Sequence, residues 1–252
     1  MLRPLSIATS LAVIGTLLLQ SPPHPGERLV RTYGADVTTA DRVAIIVPGA
    51  DTKTETFDSS PRHPGGAARA LLAEATRLAP SQRLAVVAWL GYDSPPTLSL
   101  AALTDEAAIT GSRELRRTIT ALRHRTTAPI TLLCHSYGSF TCAQAAAPGL
   151  PITDLAHIGS PGVGTGSART TPAIRVWAGL GATDWIKHVP KMKLGPLGFG
   201  TDPMNPTYGA RRFETGTGGH SDYYAPGTPS LRNLTLIALG RLQEVTPENG
   251  GS

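Results

Sequence analysis

The stretch TLLCHSYGSF, residues 131–140, joins an apolar run to small residues that can begin a helix. The run is typical of a buried strand, and Ser136 stands where the strand ends. A sharp turn from strand to helix exposes a serine oxygen, but it needs small residues two positions before and two after the serine. Gly138 meets this need, whereas Cys134 stands where glycine is usual. The stretch therefore predicts that Ser136 is a nucleophile, with a loop hydroxyl as the alternative.

Apolar, β-branched runs alternate with helical patterns on both sides of this turn. This alternation predicts an α/β fold with a mostly parallel sheet and helices on both faces. Ligands of such sheets bind at the carboxyl ends of the strands. The predicted strands are 42–49, 84–93, 129–136, 152–162, 173–184 and a short one at 211–215. The predicted helices are 65–79, 104–125 with a break near Gly111, 139–147 and 230–245.

The composition excludes several classes of protein. A chain of 252 residues with 40% hydrophobic residues can bury the core of one large domain or two small ones. The formal charge of +5 is spread thinly, and no basic stripe carries interleaved aromatic residues, so we do not expect nucleic-acid binding. No HExxH motif or paired-cysteine cluster has the spacing of metal ligands, so we expect neither a metal nor another cofactor.

The first 27 residues differ from the rest of the chain. Arg3 precedes an uncharged stretch at 4–19, and a proline-rich linker follows. The stretch is long for a signal-peptide core and slightly short for a membrane span. We expect a signal anchor or signal peptide at 1–27, a globular domain at 28–246 and a flexible tail at 247–252. These expectations place the protein outside the cytoplasm, either secreted or anchored in the membrane by its N-terminus.

A serine nucleophile needs a base, and in the hydrolase order the acid follows the serine and the base follows the acid. His220 lies in the glycine-rich loop GTGGHSDYY at 216–224 and is the predicted base. His157 lies inside an apolar strand and is expected in the core. His188 lies in a basic loop and is expected at the surface or facing the substrate.

The predicted acid is Asp184, which ends the strand pattern at 173–184. Its role would be to fix the histidine tautomer and to stabilise the imidazolium. Asp202 is the competitor, but the proline that follows it favours a role in a turn. Asp154 precedes a strand and is expected to be a solvated turn residue.

An oxyanion hole needs two backbone donors. The amide of Tyr137, directly after the nucleophile, is one candidate. The second candidate is the amide of Ala50 in PGADT (48–52), where Gly49 lets the loop turn. Asp51 would repel an anion and is expected to point away.

The two cysteines lie on either side of the predicted turn. Cys142 falls one helical turn beyond Gly138, so its side chain would point in the same direction as that residue, toward Cys134. A disulfide requires Cα atoms within about 7 Å, and the sequence leaves a disulfide and two buried free thiols as open alternatives.

The chain resembles an α/β-hydrolase and, more narrowly, a largely uncharacterised family of actinobacterial serine hydrolases catalogued as a domain of unknown function. The matching stretches span about residues 42–233 and are VPGADT, WLGYDSP, CHSYGS, GSPG, GATDWI, GTDPMNPTYGARRF and GGHSDYYAPGTPSLRN. The resemblance implies Ser136 as nucleophile, Asp184 as acid and His220 as base. It also places Tyr92 and Asp93 near the pocket, although both residues fit a turn equally well.

The connections predict a minimal lid. The stretch SPGVGTGSARTT, 160–171, is too short for a helical layer, and the longer segment 185–210 is the predicted cover. Three functions fit these features: hydrolysis of carboxylic esters through an acyl-enzyme, acyl transfer or thioester cleavage at the cell envelope, and a catalytically silent binding module. The expected partner of an enzyme here is a small-molecule or lipid ester, with the N-terminal segment contacting a membrane and the chain acting as a monomer.

Overall fold

The structure, a computed structural model, describes residues 28–96, 106–146, 148–164, 166–168, 173–191, 193–194 and 197–248. The predicted signal or anchor segment at 1–27 and the end of the predicted tail, 249–252, lie outside the described residues. Among the described residues, no helix combines the length and the apolar character that a membrane crossing needs.

The described residues form an α/β fold whose strands and helices alternate along the chain. The strands are β1 (Leu29–Gly34), β2 (Arg42–Val47), β3 (Leu84–Leu90), β4 (Ile130–His135), β5 (Asp154–Ile158), β6 (Arg175–Gly179), β7 (Lys193–Leu194), β8 (Leu197–Gly198) and β9 (Arg211–Arg212). The helices are α1 (Pro64–Leu78), α2 (Glu106–Arg123), α3 (Tyr137–Ala145) and α4 (Pro229–Leu239).

Within this part of the chain, the main sheet has the strand order β1-β3-β2-β4-β5-β6-β9, and β7 pairs with β8 separately. All neighbours in the main sheet are parallel except β1, which runs antiparallel to β3. The carboxyl ends of β2, β4, β5 and β6 therefore meet at one edge. Ser136, Asp184 and His220 follow β4, β6 and β9, so the loops that carry them leave the sheet at this edge.

Helices cover both faces of the sheet, as the alternating pattern predicts. Leu115 of α2 and Phe140 of α3 belong to the core on one face, and Leu71 of α1 and Leu234 of α4 belong to the core on the other. The strands between them are almost fully buried, which explains their continuous apolar sequences. The residues described between β5 and β6 add no α-helix over the site, in agreement with the minimal lid.

The main differences from the sequence predictions concern β1, α2 and α4. Strand β1 was not predicted, because an edge strand with a mostly exposed surface has no apolar run. Helix α2 is not broken at Gly111, where a Cβ atom would come within 2.9 Å of the Cβ of Tyr92, so this glycine permits close packing. Helix α4 ends at Leu239, since Gly240 adopts a φ of 74° and caps it.

The prediction for Asp154 is wrong, because this residue is buried rather than a solvated turn residue. Its carboxylate accepts hydrogen bonds from Arg175 at 2.9 and 2.8 Å and from the Trp177 indole at 3.1 Å. The Arg42 guanidinium lies 3.8 Å away. A buried carboxylate is tolerated only when it is paired in this way, and the partners come from strands distant in sequence.

His157 is buried in β5, as predicted, and both ring nitrogens lack a hydrogen-bond partner among the described residues. Burial lowers its pKa from 6.5 to about 3. The unfolded chain therefore takes up a proton on this ring below about pH 6.5, whereas the folded chain does not, so stability falls as the pH falls.

We expect His157→Leu to reduce the loss of stability on acidification. Between about pH 7 and pH 5, one such histidine accounts for about 2 kcal/mol of the lost free energy of unfolding. Urea unfolding at both pH values measures this change in the free energy of unfolding. His188→Gln, at an exposed position, is the control and should keep the wild-type pH dependence. An unchanged pH dependence in His157→Leu would contradict the assignment.

Candidate active site

Ser136 lies on a sharp turn between β4 and α3. Its φ of 53° and ψ of −127° are unusual for a residue with a side chain, and the strand and helix hold it there. A Cβ atom at Gly138 would come within 2.4 Å of the Pro48 carbonyl oxygen, and one at Gly49 within 2.6 Å of the Ser136 Cβ. Both glycines therefore allow the loop after β2 to pass directly against the serine.

The structure brings Ser136, His220 and Asp184 together. The Ser136 Oγ lies 2.8 Å from His220 Nε2, and His220 Nδ1 lies 2.9 and 3.0 Å from the two carboxylate oxygens of Asp184. With the ring proton on Nδ1, the imidazole donates to the carboxylate and accepts the serine proton on Nε2. A hydroxyl, an imidazole and a carboxylate in this order can generate an alkoxide nucleophile.

Asp184 is fully buried and remains ionised because donors surround it. Burial alone would raise the pKa of the carboxyl. Hydrogen bonds from His220, Tyr223 and the Ile186 amide outweigh this effect and hold the pKa below its usual value. Asp184 is also the N-cap of the 3-10 turn at Trp185–His188, which explains the amide contact at 2.8 Å.

The loop that carries His220 is held from two sides. His135 Nε2 donates to the backbone oxygen of His220 at 2.6 Å, and the Gly219 amide donates to Asp222, which pairs with Arg62 at 3.1 Å. Burial lowers the pKa of His135 to about 3, so the His135 ring stays neutral. This role of His135 was not predicted from the sequence, although its place directly before the candidate nucleophile was a signal.

The two candidate backbone donors lie in the loop after β2 and at the start of α3. The amide of Ala50 makes no hydrogen bond within the described part of the chain, while the next amide, that of Asp51, is bound to the Pro95 carbonyl. Asp51 is exposed, as expected for a residue pointing away. Tyr137 opens α3 directly after the serine. Two amides at these positions can donate to an oxyanion that forms beside Ser136.

Tyr92 and Asp93 have different environments. Tyr92 is buried, stacks between Trp89 and Tyr137, and donates to the Pro48 carbonyl at 2.8 Å. Tyr92 therefore holds the loop after β2 in place through this hydrogen bond to Pro48. Asp93 lies at the surface with Arg28 at 3.6 Å, so the structure does not bring it to Ser136.

Asp202 and His188, the other candidates from the sequence, make no hydrogen bond or ion pair with the side chains of the proposed triad within the described segments. Asp202 accepts from the Met204 amide at 2.9 Å and forms a turn, as its sequence context indicates. His188 is exposed.

Two lysines attach the predicted cover, 185–210, to the loops that follow β5 and β6. Lys187 donates to the Ala182 carbonyl, and Lys191 donates to the Ser160 carbonyl. Trp185 is 47% exposed and its ring lies 4.7 Å from that of His220.

Cys134 and Cys142 form a disulfide with Cα atoms 6.4 Å apart. Both residues are buried, so the bond ties the end of β4 to α3 across the turn that carries Ser136. Cys134, two residues before Ser136, is thus bonded to α3 at the position where glycine is usual. Closing a loop this short contributes roughly 2–3 kcal/mol.

No group of three or more histidine, cysteine, aspartate or glutamate residues in the described segments could hold a metal ion.

Comparisons with known proteins agree with this architecture. Residues 25–194 match the family model Abhydrolase_8, described as "Alpha/beta hydrolase". The uncharacterized protein Rv2079 of Mycobacterium tuberculosis is 29% identical over 234 residues, which cover 80% of this chain and 35% of that protein. The uncharacterized protein Rv0963c of the same organism is 32% identical over 152 residues, covering 58% of this chain and 57% of that protein.

The chain spans between about a third and just over half of the length of these relatives. Among solved structures, esterase PE8 matches 87% of this chain and 100% of its own, with 15% identity and a TM-score of 0.53. At this identity, the likeness to esterase PE8 shows a shared fold alone.

Proposed function

The chain belongs to the α/β-hydrolase family, and on that premise we propose that it is a serine hydrolase that cleaves carboxylic esters through an acyl-enzyme. Ser136 is the nucleophile, His220 the base and Asp184 the acid in this proposal. The observation that carries it is the continuous contact from Ser136 Oγ through the His220 ring to the buried Asp184 carboxylate. Hydrolysis is a property of the family, whereas the ester bond and these three roles are our inference.

The reaction would proceed in two halves. Ser136 Oγ attacks the ester carbonyl carbon while His220 Nε2 takes the hydroxyl proton, and the amides of Ala50 and Tyr137 stabilise the oxyanion. Collapse of this intermediate breaks the bond to the alcohol, which leaves with the proton from His220. A water molecule then attacks the acyl-enzyme with His220 again as base, releasing the acid and restoring Ser136.

The surroundings favour a small-molecule or lipid ester as the substrate. Trp185 offers an exposed aromatic surface beside His220, and no α-helix is described between β5 and β6 that would cover the site. An apolar surface next to the reacting groups suits an acyl chain or an alcohol moiety of low polarity.

We also propose that the domain acts outside the cytoplasm. The buried disulfide supports this location, because disulfides persist mainly in oxidising compartments. The apolar segment at 4–19 in the sequence supports an export signal or a membrane anchor.

Labelling with a fluorophosphonate probe tests the proposed chemistry, because the probe reacts covalently with an activated serine. We expect one adduct per chain, located by peptide mapping at Ser136. The matched control is Ser139→Ala, since this serine lies three residues away but is buried and donates to the Cys134 carbonyl. The control should still be labelled. A protein that folds but takes up no probe would exclude an activated serine.

A further inference from the structure

Tyr223 lies three residues after His220 and contacts the third member of the proposed triad. Its hydroxyl donates to Asp184 Oδ2 at 2.5 Å and accepts from the Gly181 amide at 3.1 Å. The side chain is only 3% exposed. Both the proton and a lone pair of the hydroxyl are therefore engaged, and its orientation is determined.

The two oxygens of Asp184 are fixed by different partners. The Ile186 amide donates to Oδ1, and Tyr223 donates to Oδ2. A carboxylate held at one oxygen can still rotate about its last bond, whereas a carboxylate held at both cannot. The fixed plane keeps both oxygens within 3.0 Å of His220 Nδ1.

The surrounding backbone encloses this pair of side chains. A Cβ atom at Gly159 would come within 2.9 Å of Asp184 Oδ2 and within 3.1 Å of the Tyr223 hydroxyl, so the turn after β5 leaves no room there for a side chain. On the other side, the His135 ring lies 5.5 Å from the Tyr223 ring. The Tyr223 ring is therefore packed between the turn after β5 and the His135 ring.

We propose that Tyr223 is a positioning residue of this site, which orients the Asp184 carboxylate toward His220 through a hydrogen bond from its hydroxyl. One loop then carries both the base and the residue that aligns the acid. This inference rests on the proposed function for its effect on turnover, but not for its effect on the contact between Asp184 and His220.

The adjacent tyrosine provides a matched control. Tyr224 is also buried, but its hydroxyl has no hydrogen-bond partner among the described residues. Tyr223→Phe and Tyr224→Phe remove the same atom from neighbouring positions, and only the first removes a donor to Asp184. Any general effect of deleting a buried phenol oxygen should appear in both variants.

We expect Tyr223→Phe to lower kcat for ester hydrolysis roughly ten- to a hundredfold, the scale of one hydrogen bond to a charged group, with KM unchanged. The far-downfield proton resonance of His220 Nδ1–H should be displaced or lost in the NMR spectrum of this variant. Tyr224→Phe should retain the wild-type kcat and resonance. If Tyr223→Phe does not fold, 3-fluorotyrosine at position 223, a more acidic donor of nearly the same shape, should displace the resonance instead.

A Tyr223→Phe variant that loses only thermal stability, with wild-type kcat and resonance, would overturn the inference. Equal losses in both phenylalanine variants, or a resonance unmoved by 3-fluorotyrosine, would do the same. If the wild-type protein neither reacts with the fluorophosphonate nor cleaves esters, the proposed function fails. The resonance then still decides whether Tyr223 sets the contact between Asp184 and His220.

Discussion

Replacement of Ser136 by alanine is expected to lower kcat for ester hydrolysis by on the order of a million-fold and to abolish labelling by the fluorophosphonate. The reason is that no other hydroxyl in the site is bonded to His220 Nε2 among the described residues. Alanine fits the same turn, because the change removes only the Oγ atom. The Cβ atom stays, so the backbone conformation at φ 53° is no less favourable than in the wild type. Steady-state hydrolysis of a chromogenic ester and a thermal melt measure activity and folding separately.

The members of a triad act as a unit, which provides a second test of this prediction. Adding Asp184→Asn to Ser136→Ala should cost almost nothing further, since the carboxylate acts only through the histidine and the serine. His220→Ala alone should be nearly as damaging as the loss of the serine. Full activity in a folded Ser136→Ala protein would show that the hydroxyl is an ordinary loop group and would refute the proposed chemistry.

The second large effect is expected from Asp184→Asn, which should lower kcat by on the order of a thousand-fold or more. The Ile186 amide can only donate and requires an acceptor at the Oδ1 position, whereas the Tyr223 hydroxyl at Oδ2 can turn to accept. The new NH₂ group should therefore take the Oδ2 position and face His220 Nδ1. The NH₂ group would donate to Nδ1 and leave the ring proton on Nε2. A protonated Nε2 cannot accept the serine proton.

Asp202→Asn is the control for this change. The turn formed by Asp202 depends on one oxygen that accepts from the Met204 amide, and asparagine keeps that oxygen. We therefore expect activity close to the wild type, measured as kcat on the same ester. A crippled Asp202→Asn enzyme with a mild Asp184→Asn enzyme would show that the acid is misassigned, while the serine hydrolase proposal would stand.

The element order could be predicted from local patterns, because each element depends on residues close in sequence. The buried strands near 42–49 and 129–136 have continuous apolar runs, and the turn at Ser136 requires a small residue such as Gly138. The edge strand β1 escaped prediction because its contacts, and not its composition, make it a strand. The predicted helix break near Gly111 is wrong for the same reason, since the packing of this glycine against Tyr92 cannot be read from the sequence.

The sequence by itself determined the fold class, the candidate nucleophile and the order in which an acid and a base follow it. Only the tertiary structure decided which aspartate meets His220, that Cys134 and Cys142 are bonded, and that Tyr223 reaches the buried carboxylate. It also revealed that Asp154 is buried and paired. The physical reason is that periodicity and turn chemistry act between near neighbours, whereas these contacts join segments whose separation in space depends on the path of every loop between them.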